Sequence, residues 1–266
     1  MQMSEKISAK TIKISSYSEC ISAGFVCADT VSMEFLWQGA RPRGGQFFLI
    51  KPRRTSVFLP RPISVSAVGE NTVSFLIARR GSGTKELTDM RPGDEAELIG
   101  PLGNCWLGCT DLDSITAEKT PKLVALIGGG IGIAPLLAFA HELTEKRIPF
   151  NFFAGFRSHA FALETIKPLS LVIASEDGSV GEKGLITEFF SPKGCDAVFA
   201  CGPQPMLKTV AGSCAGDNVP CFVSMEKYMA CGVGACKGCP VTTSVGNRSC
   251  CADGPIFNAE EVCFDE

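Results

Sequence analysis

Four cysteines near the C-terminal end restrict this chain more than any other feature. Cys231, Cys236 and Cys239 are spaced C-x4-C-x2-C, and Cys251 follows after eleven more residues. That spacing suits a [2Fe–2S] centre, whose ferric ions and sulfides need a soft, anionic, tetrahedral thiolate shell. Gly232, Gly234 and Gly238 lie between the ligands, where the backbone must turn tightly and aim N–H groups at sulfur. Four cysteines also suit zinc, but the x4 gap and the glycines favour iron–sulfur. Cys250 stands beside Cys251, and bare spacing gives either one the fourth place. From about Pro220 onward the chain is Gly- and Cys-rich and too poor in apolar periodicity to hold its own core, so it needs such a staple.

Ten of the fourteen cysteines lie outside this cluster, mostly in apolar surroundings, as at Cys27, Cys195 and Cys221. A disulfide framework belongs to shorter, secreted chains. The N-terminal run MQMSEKISAKTIKI has no apolar signal region, so a reducing cytoplasm is the expected setting. Residues 123–140 carry no charge and reach membrane-span length. Gly128, Gly129, Gly130, Gly132 and Pro135 fall inside that stretch, which therefore reads as a buried strand, a glycine turn and a helix start. No membrane partner is expected. A net charge of −3 gives no reason to expect a nucleic acid. Residues 1–110 carry 13 basic and 10 acidic side chains, and the rest 12 and 18, so the front part suits a diphosphate slightly better.

The first third is expected to be all-β. Runs at 46–51, 62–67, 72–79 and 94–100 are apolar or alternating and are broken by Pro and Gly turns, the pattern of a small barrel. A short helix is expected over Thr84–Met90. A polar connector at 105–121 marks a boundary, after which strands alternate with helices. Strands are expected at 123–127, 150–155, 171–175 and 197–202, and helices near 134–147, 184–190 and 203–211. Such alternation predicts a parallel sheet covered on both faces. The expected units are therefore a β-barrel at 1–110, an α/β nucleotide-binding domain at 111–219, and a [2Fe–2S] module at 220–266.

Two turns in the α/β part carry nucleotide-binding character. LVALIGGGIGIAPLL places Gly129, Gly130 and Gly132 between a strand and a helix start, where backbone N–H groups and the helix dipole meet a pyrophosphate. It departs from G-x-G-x-x-G, with Pro135 where a third small residue would fall. CGPQPML repeats the design with Cys201, Gly202 and Pro203 at a later strand end. Ligands in open parallel sheets bind at the carboxyl ends of strands, so both turns would border one crevice. Cys201 reads equally well as a small buried thiol. In the β region, Arg61, Pro62, Ile63 and Ser64 start a strand with a cation and a hydroxyl. Arg80–Thr84 is a loop of small residues that reads either as a surface turn or as a second diphosphate site.

In order along the chain, RPIS (61–64), GSGT (81–84), GPLGN (100–104), GGGIGIAP (128–135), EDGSVGEKG (176–184), CGPQPM (201–206) and CGVGACKGC…CADGPIF (231–257) resemble the ferredoxin-reductase-like flavoproteins. The most similar group is the electron-transfer subunits of class 1B, NAD-dependent dihydroorotate dehydrogenase. The resemblance spans nearly the whole chain. It implies an FAD-binding barrel in which Arg61 and Ser64 contact flavin and phosphates, Gly83 and Thr84 contact the diphosphate, and Leu76, Ile77, Ala78 and Arg79 run beside the cofactor. That family often carries an aromatic residue followed by arginine in this last strand; Ile77, Ala78 and Arg79 stand here instead. The family's fourth ligand precedes x-D-G-P, which selects Cys251 over Cys250.

The resemblance further implies an FMN-containing catalytic partner that oxidises dihydroorotate, two copies of each subunit, and electron flow through the cluster and FAD to NAD+ in pyrimidine biosynthesis. An alternative keeps the carriers and changes the partner, making the chain a subunit of an NADH-dependent ferredoxin:NADP oxidoreductase or of a sulfide dehydrogenase. No catalytic acid, base or nucleophile is expected. The only histidines, His141 and His159, lie in a helix and a polar loop, and hydride transfer between stacked rings needs orientation more than an acid or base. Arg157–Ser158 suits a 2′-phosphate and Glu176–Asp177 the nucleotide hydroxyls; the residues alone leave NAD and NADP open.

Overall fold

A computed structural model describes residues 14–109 and 123–264. Residues 1–13, residues 110–122 with most of the expected connector, and the last two residues lie outside that description.

The N-terminal strands close into a barrel because their alternating residues give one apolar face, and closure leaves no edge. Its strands are β1 (Ile14–Cys27), β2 (Thr30–Leu36), β3 (Phe47–Pro52), β4 (Arg61–Val68), β5 (Thr72–Ala78) and β6 (Glu95–Leu102), arranged in the order β1-β2-β5-β4-β3-β6. All neighbours are antiparallel. Met33, Phe35, Phe48, Ile50, Phe75, Ile77 and Leu98 fill the interior. The expected helix forms two residues earlier, as α1 (Ser82–Thr88). The sequence reading did not single out β1 or β2. The hydrophobic residues of β1 are divided between a buried and a solvent-facing side: Tyr17, Ile21 and Phe25 remain exposed.

The second sheet has the order β10-β9-β8-β7-β11-β12-β15. The strands are β7 (Val124–Gly129), β8 (Phe150–Phe156), β9 (Ser170–Ser175), β10 (Glu182–Lys183), β11 (Ala197–Cys201) and β12 (Cys221–Ser224), all parallel, and β15 (Ile256–Asn258), which runs antiparallel to β12. Helix α2 (Ile133–Glu145) covers one face, packing Leu136, Phe139 and Leu143 with Leu126, Phe152 and Phe199. Helix α3 (Gln204–Gly216) covers the other, packing Leu207, Val210 and Cys214 with Ile127 and Val198. The helix expected near 184–190 is only a 3-10 turn at Ile186–Glu188, because Gly184 at φ +137 and a short strand before it break the pattern. The sheet also runs across residue 220, since β12 and β15 extend it by two strands.

The C-terminal segment adds a hairpin, β13 (Pro240–Thr243) with β14 (Gly246–Ser249), and a single turn α4 (Cys250–Asp253). It is seated on the barrel. Asn104 donates from Nδ2 to the Ile256 carbonyl (2.8 Å) and accepts from the Ile256 N–H (3.0 Å), while its own N–H donates to the Gly254 carbonyl (2.7 Å).

Barrel and sheet meet through side chains from both. Trp106, fully buried, packs against Phe139 and Phe199 with centroids 6.0 and 5.7 Å away. Gly44 lies so close to α2 that a β-carbon there would stand 2.8 Å from the backbone of Phe139. The Gly44 N–H donates to Glu142 Oε1 at 2.7 Å, leaving Oε2 buried without a partner. Burial pushes the Glu142 carboxyl up, against the pull of the Gly44 N–H and Arg43.

Candidate functional site

Three groups of residues converge around the junction of barrel and sheet. The first lies at the barrel's β4–β5 face. Arg61, Pro62, Ile63 and Ser64 open β4, and each is half-buried. The Arg61 guanidinium lies directly over Gly83: a β-carbon built there would fall 2.2 Å from Nε. A side chain at 83 would have to displace that guanidinium, so glycine here lets the cation lie against the loop. Arg61 Nη1 donates to the Leu59 carbonyl at 2.8 Å.

Thr84 closes the neighbouring loop on itself. Its Oγ1 accepts from the Arg80 and Gly81 N–H groups (3.0 and 3.1 Å) and donates to the Gly81 carbonyl (3.2 Å). Thr84 therefore shapes the loop, and Gly81 beside it opens onto free space, with nothing within 4 Å of a β-carbon.

The expected strand beside the cofactor is β5, and its side chains divide. Leu76 packs into the core shared with the sheet, Ile77 points into the barrel at 1% exposure, and Ala78 is half-buried. The Arg79 guanidinium is paired with Asp89 and stands over Phe25, 5.7 Å from the ring. Of these four, Ile77 offers a ligand only its backbone.

The second group lies at the carboxyl edge of the sheet, where the two glycine turns touch. A β-carbon on Gly132 would stand 2.4 Å from the Cys201 carbonyl oxygen, and one on Gly202 would stand 2.9 Å from the Gly129 nitrogen. Gly129 itself lies against Met206 and Pro203. Gly130, at φ +55, opens onto free space. These turns meet at the carboxyl ends of β7 and β11, the position at which ligands of open parallel sheets bind. Cys201 is 2% exposed and its thiol is pushed well up by burial, so it is a neutral wall. Arg157 and Glu176 lie at the carboxyl ends of neighbouring β8 and β9, with the Glu176 N–H donating to the Phe156 carbonyl. His141 is half-buried, and exposed His159 shares a hydrogen bond with the Ser158 hydroxyl.

One group at this edge was missed. Glu226 follows β12, next to β11 with its Cys201. Its side chain reaches solvent, yet protein crowds it on several sides. That desolvation pushes its carboxyl up, while Arg80 of the barrel loop pulls it down. A lone glutamate in SMEKYMA carries no sequence signal; only the pairing of β11 with β12 brings it beside Cys201.

The third group is the cysteine loop. Cys239 and Cys251 are buried with Sγ atoms 3.4 Å apart. Backbone N–H groups point at the sulfurs: Gly234 to Cys251 (3.1 Å), Cys251 to Cys239 (3.4 Å), Cys236 to Cys231 (3.5 Å) and Gly238 to Cys236 (3.4 Å). The N–H of Cys236, ahead of that of Val233, draws the Cys231 thiol down to about 6. Burial, then Cys239, pushes Cys251 up to about 12. Cys250 faces the other way, its thiol fully buried and donating to the Met225 carbonyl at 3.1 Å.

Among the described residues no three His, Cys, Asp or Glu side chains gather tightly enough for a single metal ion. A two-iron centre has no such need, since each iron takes only two protein thiolates. Four sulfurs with N–H donors aimed at them fit that group. Gly232, at φ +71, brings this loop onto the barrel: its β-carbon would fall 2.7 Å from Leu49 Cδ1 and 2.9 Å from Leu102 Cδ1.

Residues 226–263 match the iron-sulfur cluster binding domain of dihydroorotate dehydrogenase B. The chain is 42% identical over 229 residues to the dihydroorotate dehydrogenase B (NAD(+)) electron transfer subunit of Clostridium perfringens strain 13, covering 85% of this chain and 89% of that one. It is 37% identical over 246 residues to the subunit of the same name from Caldanaerobacter subterraneus subsp. tengcongensis, covering 90% and 94%. Among solved structures it is similar to an NADH-dependent reduced ferredoxin-NADP oxidoreductase studied for flavin-based electron bifurcation. There the TM-score is 0.78 at 26% identity, over 94% of this chain and 91% of that chain.

Proposed function

This chain belongs to the electron transfer subunits of dihydroorotate dehydrogenase B (NAD(+)), and from that membership we propose how its residues divide the work. It is an oxidoreductase subunit of ferredoxin-reductase-like fold that carries electrons towards NAD+. The proposed units are 1–110 for FAD, 111–219 for NAD and 220–266 for the cluster, with β12 and β15 of the last unit built into the sheet of the second. The proposed partner is an FMN-containing dihydroorotate dehydrogenase, two copies of each subunit associating in the cytoplasm. Among the described residues no helix is long and apolar enough to cross a membrane.

FAD and a [2Fe–2S] centre, when bound, let electrons arriving singly leave in pairs as hydride on NAD+. Arg61 supplies the fixed cation for the flavin diphosphate, and Gly83 is the residue that lets it lie flat there. Ser64, Leu76 and the β5 backbone line the flavin's path towards the sheet. Gly129, Gly130 and Gly132 with Cys201, Gly202 and Pro203 hold the nicotinamide nucleotide, and Gly130 has open space beside it. Cys231, Cys236, Cys239 and Cys251 ligate the cluster, and Cys250 is a packing residue.

The observation that carries this reading is the contact of Gly232 with Leu49 and Leu102, which seats the cysteine loop directly on the barrel. A short path between carriers follows from that contact. The likeness to the ferredoxin-NADP oxidoreductase supports a second reading with a different donor, at lower identity than the dihydroorotate dehydrogenase subunits. Coexpression with the FMN-containing dehydrogenase decides between them. We expect a complex holding iron and both flavins that reduces NAD+ with dihydroorotate. A stable, coloured chain that neither binds that dehydrogenase nor supports the reaction overturns the assignment.

A further inference from the structure

Phe58 lies in the loop between β3 and β4, and its ring is 86% exposed. A single exposed apolar side chain is ordinary. This one is carried by a loop fastened on three sides. Lys51 donates to the Phe58 carbonyl at 3.0 Å and holds its ammonium 5.9 Å from the ring. The hydroxyls of Thr55 and Ser56 both donate to Glu86 on α1. Arg61, whose guanidinium covers Gly83, donates to the carbonyl of Leu59, the residue next to Phe58.

The direction of β4 places this ring relative to a bound dinucleotide. Farther along β4 from Arg61, the strand packs on α2, and β5 at the level of Leu76 joins the core shared with the sheet. Arg61 and Ser64 are three residues apart, about 10 Å along a strand. A flavin with its diphosphate at Arg61 must turn its redox ring towards the glycine turns of the sheet, because hydride transfer requires contact between rings. Its adenosine then leaves in the opposite direction, towards the chain that precedes Arg61.

Adenine is flat and presents a π-face that aromatic side chains cover well. Strand β5 has no such surface to offer there, since Ile77 is turned into the barrel and Leu76 and Ala78 are aliphatic. We propose that Phe58 is the stacking surface for the adenine ring of the bound FAD. The inference rests on the FAD reading above and adds the residue that distinguishes the dinucleotide from a flavin mononucleotide.

The test uses the full chain, stripped of flavin and titrated with FAD and with FMN by flavin fluorescence. Stacking of a base on an aromatic ring contributes about 1–3 kcal/mol, so Phe58→Ala is expected to weaken FAD binding roughly 5- to 150-fold. FMN, which lacks adenosine, should bind the variant and the parent alike, and Phe58→Tyr should restore FAD affinity. Unchanged iron content and melting temperature show that the fold is kept. FAD titrations of parent and Phe58→Ala agreeing within twofold overturn the proposal, as does equal weakening of FAD and FMN. Loss of the dehydrogenase partner with FAD affinity intact makes Phe58 an interface residue and also overturns it. A parent chain that takes up no FAD sinks the functional reading itself, so the two failures are distinguishable.

Discussion

Asn104 and Ile256 exchange two hydrogen bonds across 152 residues of sequence, from Nδ2 to the carbonyl and from the Ile256 N–H to Oδ1. This amide imitates a strand neighbour: it satisfies both backbone groups of one residue at the edge of the cluster-bearing segment. Ile256 is also the first residue of β15, which pairs with β12, so the clamp fixes the sheet and the cysteine loop against the barrel together.

Replacing Asn104 by Asp keeps the shape, removes the donor and sets a carboxylate against the Ile256 carbonyl. We expect a loss of about 1–3 kcal/mol, the cost of an unsatisfied buried polar group. It should appear as a lower denaturant midpoint and as faster loss of the visible cluster spectrum on dilution. A variant as stable as the parent would mean the clamp contributes nothing.

The two adjacent cysteines should part company. Cys251→Ser is expected to abolish the cluster absorbance while flavin is retained, because Cys251 shares a buried contact with Cys239. Cys250→Ser should keep full iron content, since its side chain is bonded to the Met225 carbonyl and faces away. Iron analysis and visible spectra of both variants check this, and the reverse pattern would exchange their roles.

Glycines in one turn should fail for different reasons. Gly132→Ala drives a methyl into the Cys201 carbonyl, and overpacking of that kind costs about 1–3 kcal/mol. Its main effect should be a lower melting temperature. Gly130→Ala has open space but a positive φ, so the fold should lose about 1 kcal/mol of stability or somewhat more while KM for NAD+ rises more steeply. Equal effects on melting temperature and KM in both variants would contradict the assignment of Gly130 to the crevice.

Glu142 should make stability depend on pH in a sense opposite to most carboxylates. Its native pKa is raised by burial, so the folded chain holds this proton more tightly than the unfolded chain. Stability from this group is complete below the ordinary carboxylate value of 4.5 and is lost as pH rises through the raised native value. Glu142→Gln keeps an acceptor for the Gly44 N–H and cannot titrate. The difference in unfolding free energy between variant and parent should therefore shift in favour of the variant with rising pH and then level off. Denaturant titrations from pH 4 to pH 8 measure it, and a flat difference would remove the effect.

The cysteine spacing, the glycine turns and the alternation of strands and helices were legible in the sequence because each is a local pattern. Ligand spacing follows from tetrahedral thiolate geometry, and a buried parallel strand such as VALIGG shows as an unbroken apolar run. The short helix at 82–88 and the eight strands that were expected lie within two residues of their expected positions. The choice between Cys250 and Cys251 was invisible to spacing, and their opposite orientations were resolved only when α4 packed against Met225.

Tertiary structure alone decided what the turns face. The contact of Gly132 with Cys201, the guanidinium of Arg61 over Gly83, the inward turn of Ile77 and the arrival of Glu226 beside β11 all join segments distant in sequence or on different strands. The physical reason is that a one-dimensional pattern records which face of an element is apolar. It does not record which other element will cover that face, and the junction of barrel and sheet is built entirely from such pairings.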